Sequence, residues 1–312
     1  VGLAISFVSI STIKKYAYFS YIICLGLLIL VLLFGHRGMG AVRWINIAGF
    51  KMQPSEFMKL SLILALSHWF DENRPELDLN FKSVILPALM TFIPMLLIVV
   101  QPDLGTGMIL LFILTIMVFY RSFSWRNIAV VGLISIFTAG LVYNVGLREY
   151  QRKRVETFLD PEKEARGAGY NAIQSKIAIG SGRLTGKGFK NSTQASLQFL
   201  PENHTDFAFA IFSEEHGFLG DIFLISLYLY LLYLLFKFAG AVTNPFSSFI
   251  LIGVLAFFFC HIFVNMAMVM GLLPIVGVPL PFMSYGGSSM LTFGTAIGIA
   301  TAQIKESHLF YS

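Results

Sequence analysis

The sequence predicts an all-α integral membrane protein: a polytopic helical bundle, 1–312 forming a single membrane domain, with one long extracytoplasmic loop. Three observations predict it. Of 312 residues, 56% are hydrophobic and only 12% charged, where soluble domains carry about a quarter charged residues. The mean hydropathy is +0.74. The apolar residues also come in uninterrupted runs: 16–34 is 19 residues without a charge and 127–147 is 21, each enough to cross a hydrocarbon core of roughly 30 Å as a helix. A β-barrel needs alternating segments of about 10 residues, and none occur.

Taken in order, 1–13 is apolar but too short to span alone, and it lacks the basic n-region and small-residue cleavage site of a signal peptide. It reads as the tail of a span whose start lies upstream. Residues 16–34 follow Lys14 and Lys15 and form the first full span. The least apolar segment, 55–70, carries Glu56, Lys59 and His68, but its start is well marked: Pro54 suits a first helical turn and Glu56 favours the N-terminal dipole. Spans 83–100 and 104–120 flank Gln101-Pro102-Asp103, and 127–147 follows. A long connection, about 148–215, holds much of the charge; 216–236, 247–272 and 286–304 complete the set. No internal repeat or low-complexity tract is present, and Cys24 and Cys260 lie inside apolar runs, with no disulfide framework or metal cluster suggested.

Alternation assigns eight basic residues (Lys14, Lys15, Arg74, Lys82, Arg121, Arg126, Lys237, Lys305) to the short segments of one side, against Arg37, Arg43, Lys51 and Lys59 on the other. The positive-inside rule concerns short loops, whereas loops of roughly 60 residues cross largely regardless of charge. The first side is therefore cytoplasmic and the long loop external. Its ten basic residues, within a net charge of +5, suit an anionic substrate or lipid headgroup; no nucleic-acid partner is implied.

Four polar clusters lie at the outer ends of spans. Arg43 and Trp44 precede Gln53-Pro54-Ser55-Glu56, and Glu56 and Lys59, three apart, share one helix face and can pair. An ordinary boundary ion pair explains them as well as a functional one, although charges within apolar helices usually face a cavity or one another. Arg43 and Trp44 also suit an interfacial anchor. Gln101 and Asp103 sit in a turn where Asp103 reads first as a helix cap. His204-Thr205-Asp206 runs into apolar sequence, placing a carboxylate at the water–bilayer boundary, where it can serve as a base; an N-cap role explains Asp206 equally well. The stretch 273–289 holds three prolines and three glycines, so it is irregular, and irregular backbone at membrane depth is tolerated only where it is buried or lines a cavity. Its amides and the hydroxyls of Ser284 and Ser288 can hold a phosphate, and a re-entrant structural turn has the same composition. Residues 180–188 imitate a phosphate loop without its required residues, His204 and His216 lack zinc-ligand spacing, and His261 with Asn265 suits helix–helix bonding.

At these residues the chain resembles the SEDS family (shape, elongation, division and sporulation proteins), and within it the RodA branch. The resemblance runs through 43–59, 101–106, 150–171, 174–188, 200–207 with Glu214-Glu215, and 273–289, and covers essentially the whole chain. It implies ten membrane helices, about nine of them represented here, the first having no counterpart and 1–13 matching the tail of the second. Where the family usually reads Gly-Gly, this chain has Gly182-Arg183. The resemblance implies polymerisation of lipid II into glycan strands for elongation and rod shape. It places the site outside the bacterial cytoplasmic membrane, with a class B penicillin-binding protein as partner. It also implies an essential aspartate at Asp206, an acid–base pair at Glu56 and Lys59, and a functional Trp44.

The chemistry is coherent. A carboxylate can take the proton of the acceptor hydroxyl, while cations offset the charge on the departing lipid pyrophosphate. Arg43, Lys59 and the loop lysines, Lys187 among them, suit that role, and residues 174–194, whose Lys176, Arg183, Lys187 and Lys190 have no acid among them, suit docking of the pyrophosphate. A divalent cation, Mg or Mn, can serve the same purpose; no other cofactor is implied. The rival from another class is a lipid II flippase, since broken helices and intramembrane charges serve transporters too.

Overall fold

The computed structural model of the chain describes residues 1–34, 36–38, 41–47, 50–73, 81–121, 156–160, 167–196, 200 and 204–309. It is helical, as expected. Helices α1 (Gly2–Ile5) and α2 (Ile10–Lys15) replace the expected continuous tail. The break follows from serines: Ser6 Oγ donates back to Leu3 O, and Ser9 caps α2 by accepting from Thr12 N–H. Then come α3 (Ala17–Phe34), α4 (Pro54–Glu72), α5 (Phe81–Val100) and α6 (Leu104–Arg121). The expected span 127–147 lies outside the described residues. After it follow α7 (Ala168–Gly182), α8 (Thr193–Ser196), α9 (Ala208–Ala241), α10 (Pro245–Val269) and α11 (Gly287–Leu309).

Among the described residues, four helices (α3, α6, α9 and α10) are long and apolar enough to cross a membrane. Helix α3 turns Phe19, Ile22, Leu30 and Leu33 outward, the surface a helix offers to hydrocarbon. Helix α4 differs. It buries Glu56, Lys59, Ser61 and Ser67 among Met58, Leu62, Leu66 and Phe70, so protein rather than lipid surrounds its polar groups. In α5, Pro94 cannot donate to Met90 O four residues back; the Tyr21 hydroxyl takes that carbonyl instead, at 2.7 Å.

A small antiparallel ribbon departs from the all-helical expectation. Strands β1 (His36–Gly38), β2 (Ala41–Ile47) and β3 (Phe50–Met52) lie in the order β1-β2-β3. His36 pairs with Trp44 across a bulge, and Ile45, Asn46 and Ile47 pair with Met52, Lys51 and Phe50.

The long connection is not all loop either, since α7 fills 15 residues of it. Its buried face is made of Gly169, Ser175, Ala178 and Gly182. Such small residues give little apolar periodicity, which is why the segment reads as loop. Backbone packing divides the chain into two compact units interleaved in sequence. One comprises 1–122, 231–260 and 286–312; the other comprises 123–230 and 261–285.

Candidate functional site

The first unit holds the Arg43 to Asp103 residues and Ser288. Asp103 caps α6, accepting from Thr106 N–H at 3.3 Å and from Thr106 Oγ1 at 3.1 Å. Gln53 Nε2 donates to the same carboxylate at 3.1 Å, and Arg43 Nη1 lies 3.9 Å away. The Arg43 guanidinium also donates to the carbonyls of Gln101 and Pro102. Gln101 Nε2 donates to Leu28 O at 2.9 Å. Gln53 N–H donates to Ser288 Oγ at 3.1 Å, fixing the start of α4. Asp103 is therefore both the expected cap and the centre of a network that draws together β2, the α5–α6 turn and the α4 N-terminus. Trp44 stands next to Arg43 on β2, half-buried.

Glu56 and Lys59 form the expected pair, Nζ to Oε1 at 2.7 Å, with Lys59 0% and Glu56 4% exposed. The Lys59 ammonium also lies 5.4 Å from the Phe257 ring centroid. Glu56 Oε2 is buried and has no hydrogen-bond partner among the described residues. A lysine so enclosed is a partner for Glu56 first; an open cation for a leaving pyrophosphate it is not.

The second unit holds His204, Thr205, Asp206, Ser284 and Lys187. Asp206 precedes α9, and its backbone is held from two directions. From α10, the fully buried Asn265 donates through Nδ2 to Asp206 O at 3.0 Å and to Val278 O at 2.7 Å. His261, one turn earlier, meets Pro279 O through Nδ1 at 3.0 Å. From the proline-rich segment, Ser284 Oγ donates to Thr205 O at 2.6 Å and Tyr285 N–H to His204 O at 2.7 Å. Ser284 Oγ accepts Leu280 N–H in turn. Gly277, at φ 73°, brings backbone against the carboxylate: a Cβ there would stand 3.3 Å from Asp206 Oδ2. The irregular segment is thus a clamp that fixes a carboxylate, and its serine is committed to backbone partners rather than to a phosphate. His261 and Asn265, which spacing assigned to helix–helix bonding, hold this clamp.

Lys187 is committed as well. Its Nζ lies 2.6 Å from Glu214 Oε1 and 3.0 Å from Thr193 Oγ1. The fully buried Glu214 carboxylate also accepts from the Ser192 hydroxyl and from the N–H groups of Thr193 and Gln194. Glu214 therefore pins 187–194 to α9. Lys176, Arg183 and Lys190 are exposed and have no ion-pair partner among the described residues. Sequence reasoning gave Gly277 and Glu214 no role of their own; for Glu214, the adjacent acids Glu214-Glu215 in an apolar setting were the available signal. Arg183 stands at φ 51°, ψ −139°, a conformation that favours glycine, which explains the glycine usual there in the resembling family. Among the described residues no group of three or more His, Cys, Asp or Glu side chains could hold a metal ion.

Residues 1–308 match the profile of the FtsW/RodA/SpoVE cell cycle proteins. The chain is similar to the peptidoglycan glycosyltransferase MrdB of Escherichia coli strain K12, with 39% identity over 286 residues, covering 92% of this chain and 77% of the relative. It is similar to stage V sporulation protein E of Bacillus subtilis strain 168, with 37% identity over 284 residues, covering 89% and 76%. Among solved structures, a peptidoglycan synthase complex described as coordinating polymerization and crosslinking superposes with a TM-score of 0.82 at 32% identity, over 98% of this chain and 87% of that one. The rod shape determining protein RodA of Thermus thermophilus superposes with a TM-score of 0.71 at 27% identity, over 98% and 83%.

Proposed function

The chain belongs to the FtsW/RodA/SpoVE family of cell cycle proteins, and from that membership we infer that it is a multi-pass membrane peptidoglycan glycosyltransferase. We propose lipid II as its substrate, the external face of the bacterial cytoplasmic membrane as its place of work, and a crosslinking enzyme, a class B penicillin-binding protein, as its partner. The relatives' names and the solved synthase complex support this reading.

One observation carries the mechanism: Asp206 sits on a backbone held by Asn265, Ser284 and Tyr285. A catalytic base must be within hydrogen-bond reach of the proton it removes, and a carboxylate on a clamped turn keeps that geometry from one cycle to the next. In the proposed step the acceptor sugar hydroxyl gives its proton to Asp206 as its oxygen bonds the donor's anomeric carbon. The bond from that carbon to the pyrophosphate oxygen breaks, and the lipid pyrophosphate leaves with the electron pair. One base and one displacement invert the anomeric centre. Among the described residues of the same unit, Lys176, Arg183 and Lys190 are cations open to the pyrophosphate.

The test is strand synthesis from lipid II by the purified protein with its crosslinking partner. Asp206→Asn keeps size and hydrogen-bonding capacity but removes the base, so synthesis collapses while thermal stability and partner binding stay. Near-normal synthesis by this variant would sink the assignment.

A further inference from the structure

Within the same unit as Asp206 lies a groove of ≈ 690 Å³ whose lining includes Phe212, His216, Glu215, Tyr285 and His204, two residues before Asp206. Its size is that of a small-ligand site. The Tyr285 ring, 80% exposed, forms an open shelf. Opposite in character is a wall made by Phe212 stacked on His216, 4.4 Å between centroids. His216 Nδ1 faces Phe212 O at 3.1 Å, so that nitrogen carries the proton, and in the neutral ring Nε2 is an acceptor. The half-buried Glu215 carboxylate has no hydrogen-bond partner among the described residues. Lys190 follows the lining residue Phe189, its ammonium 5.5 Å from that ring's centroid.

We propose that this groove is a saccharide subsite that holds pyranose rings of the glycan strand next to Asp206. A pyranose offers a face of C–H bonds and a rim of hydroxyl and amide donors. Aromatic shelves take the face, and Glu215 and His216 Nε2 accept from the rim. An anionic headgroup or a pyrophosphate would bring acceptors to acceptors and negative charge to a carboxylate, and acyl chains would bury that carboxylate without a partner. The groove is also rigidly joined to the base. Tyr285 and His204 line it, and the bonds Tyr285 N–H to His204 O and Ser284 Oγ to Thr205 O belong to the clamp on Asp206. A ring lodged there rests on the same bonds that fix the Asp206 backbone, which suits a strand that stays bound between additions.

The proposal rests on the polymerase reading, and its test separates the two. The probe is a lipid-free, uncrosslinked oligosaccharide of alternating N-acetylglucosamine and N-acetylmuramic acid. Saturation-transfer NMR follows its binding to the full chain with its crosslinking partner in detergent. Wild type binds it, Tyr285→Ala and Glu215→Gln each weaken binding about tenfold, and both variants release shorter strands from lipid II. Tyr285 is exposed, so its removal leaves the core intact, and Phe189→Ala, at a ring 72% exposed, gives an independent second variant. No binding by wild type overturns the subsite, while the polymerase reading still stands or falls on Asp206→Asn. Variants that lose partner affinity with oligosaccharide binding unchanged overturn it in favour of a protein interface. Phosphatidylglycerol nanodiscs that bind wild type and bind Tyr285→Ala weakly, with no saccharide signal, overturn it in favour of a headgroup belt.

Discussion

Replacing Asn265 with alanine tests whether the clamp positions the base. The side chain is fully buried, and its one amide group serves two carbonyls, Asp206 O at 3.0 Å and Val278 O at 2.7 Å. Its Oδ1 has no hydrogen-bond partner among the described residues, so the truncation removes these two bonds and no others. Each buried carbonyl left unpaired costs about 1–3 kcal/mol, and the pair about 2–6 kcal/mol if the backbone stays in place. The 206 turn and the 278 segment relieve that cost by moving apart towards other donors. A misplacement of about 1 Å near a reacting group is worth on the order of 10²-fold in rate. The expected result with lipid II is therefore a kcat about 10²-fold lower, a KM changed much less, and an unaltered pH profile, because Asp206 remains the base. Asn265 is a positioning residue in this account. The account is refuted by a kcat within about threefold of wild type, less than 1 kcal/mol of barrier, or by a loss that disappears once activity is normalised to folded protein.

Three further outcomes follow from the packing. Glu56→Ala or Lys59→Ala alone leaves a buried charge unpaired, at a cost of about 3–5 kcal/mol in denaturation experiments, and the double variant is no worse than the poorer single; additive losses would show that the two act independently. Lys187→Ala strips the cation from buried Glu214, but at a site where the lysine is 32% exposed, so stability falls by a smaller amount, about 1–3 kcal/mol, and the half-saturating lipid II concentration does not change. A raised half-saturating concentration at unchanged stability would return Lys187 to substrate docking. Arg183→Gly relieves a left-handed backbone and raises stability by about 1–2 kcal/mol, read as a higher melting temperature; an unchanged or lower one contradicts the strain.

Sequence alone determined that this chain is a bundle of membrane helices, because crossing hydrocarbon demands long runs of apolar residues and self-satisfied backbone, and both are written locally. Residues 17–34, 104–121 and 245–269 were legible for that reason. The Glu56–Lys59 pair was legible too, since three-residue spacing on one helix places two side chains together. Local pattern failed where burial comes from other parts of the chain. Helix α4 read as the least apolar span, and its pattern did not show that other helices bury its polar groups. Helix α7 packs through glycine, serine and alanine and left no apolar period to see. Spacing could nominate Asp206 but could not tell a cap from a base. How its backbone is held depends on Asn265, Gly277 and Ser284, which are 59 to 79 positions away in the chain and meet the 205–206 turn only through tertiary packing. The same long-range geometry committed Lys187 to Glu214. Charge along a sequence shows how many cations there are; only the fold shows which of them already have a partner.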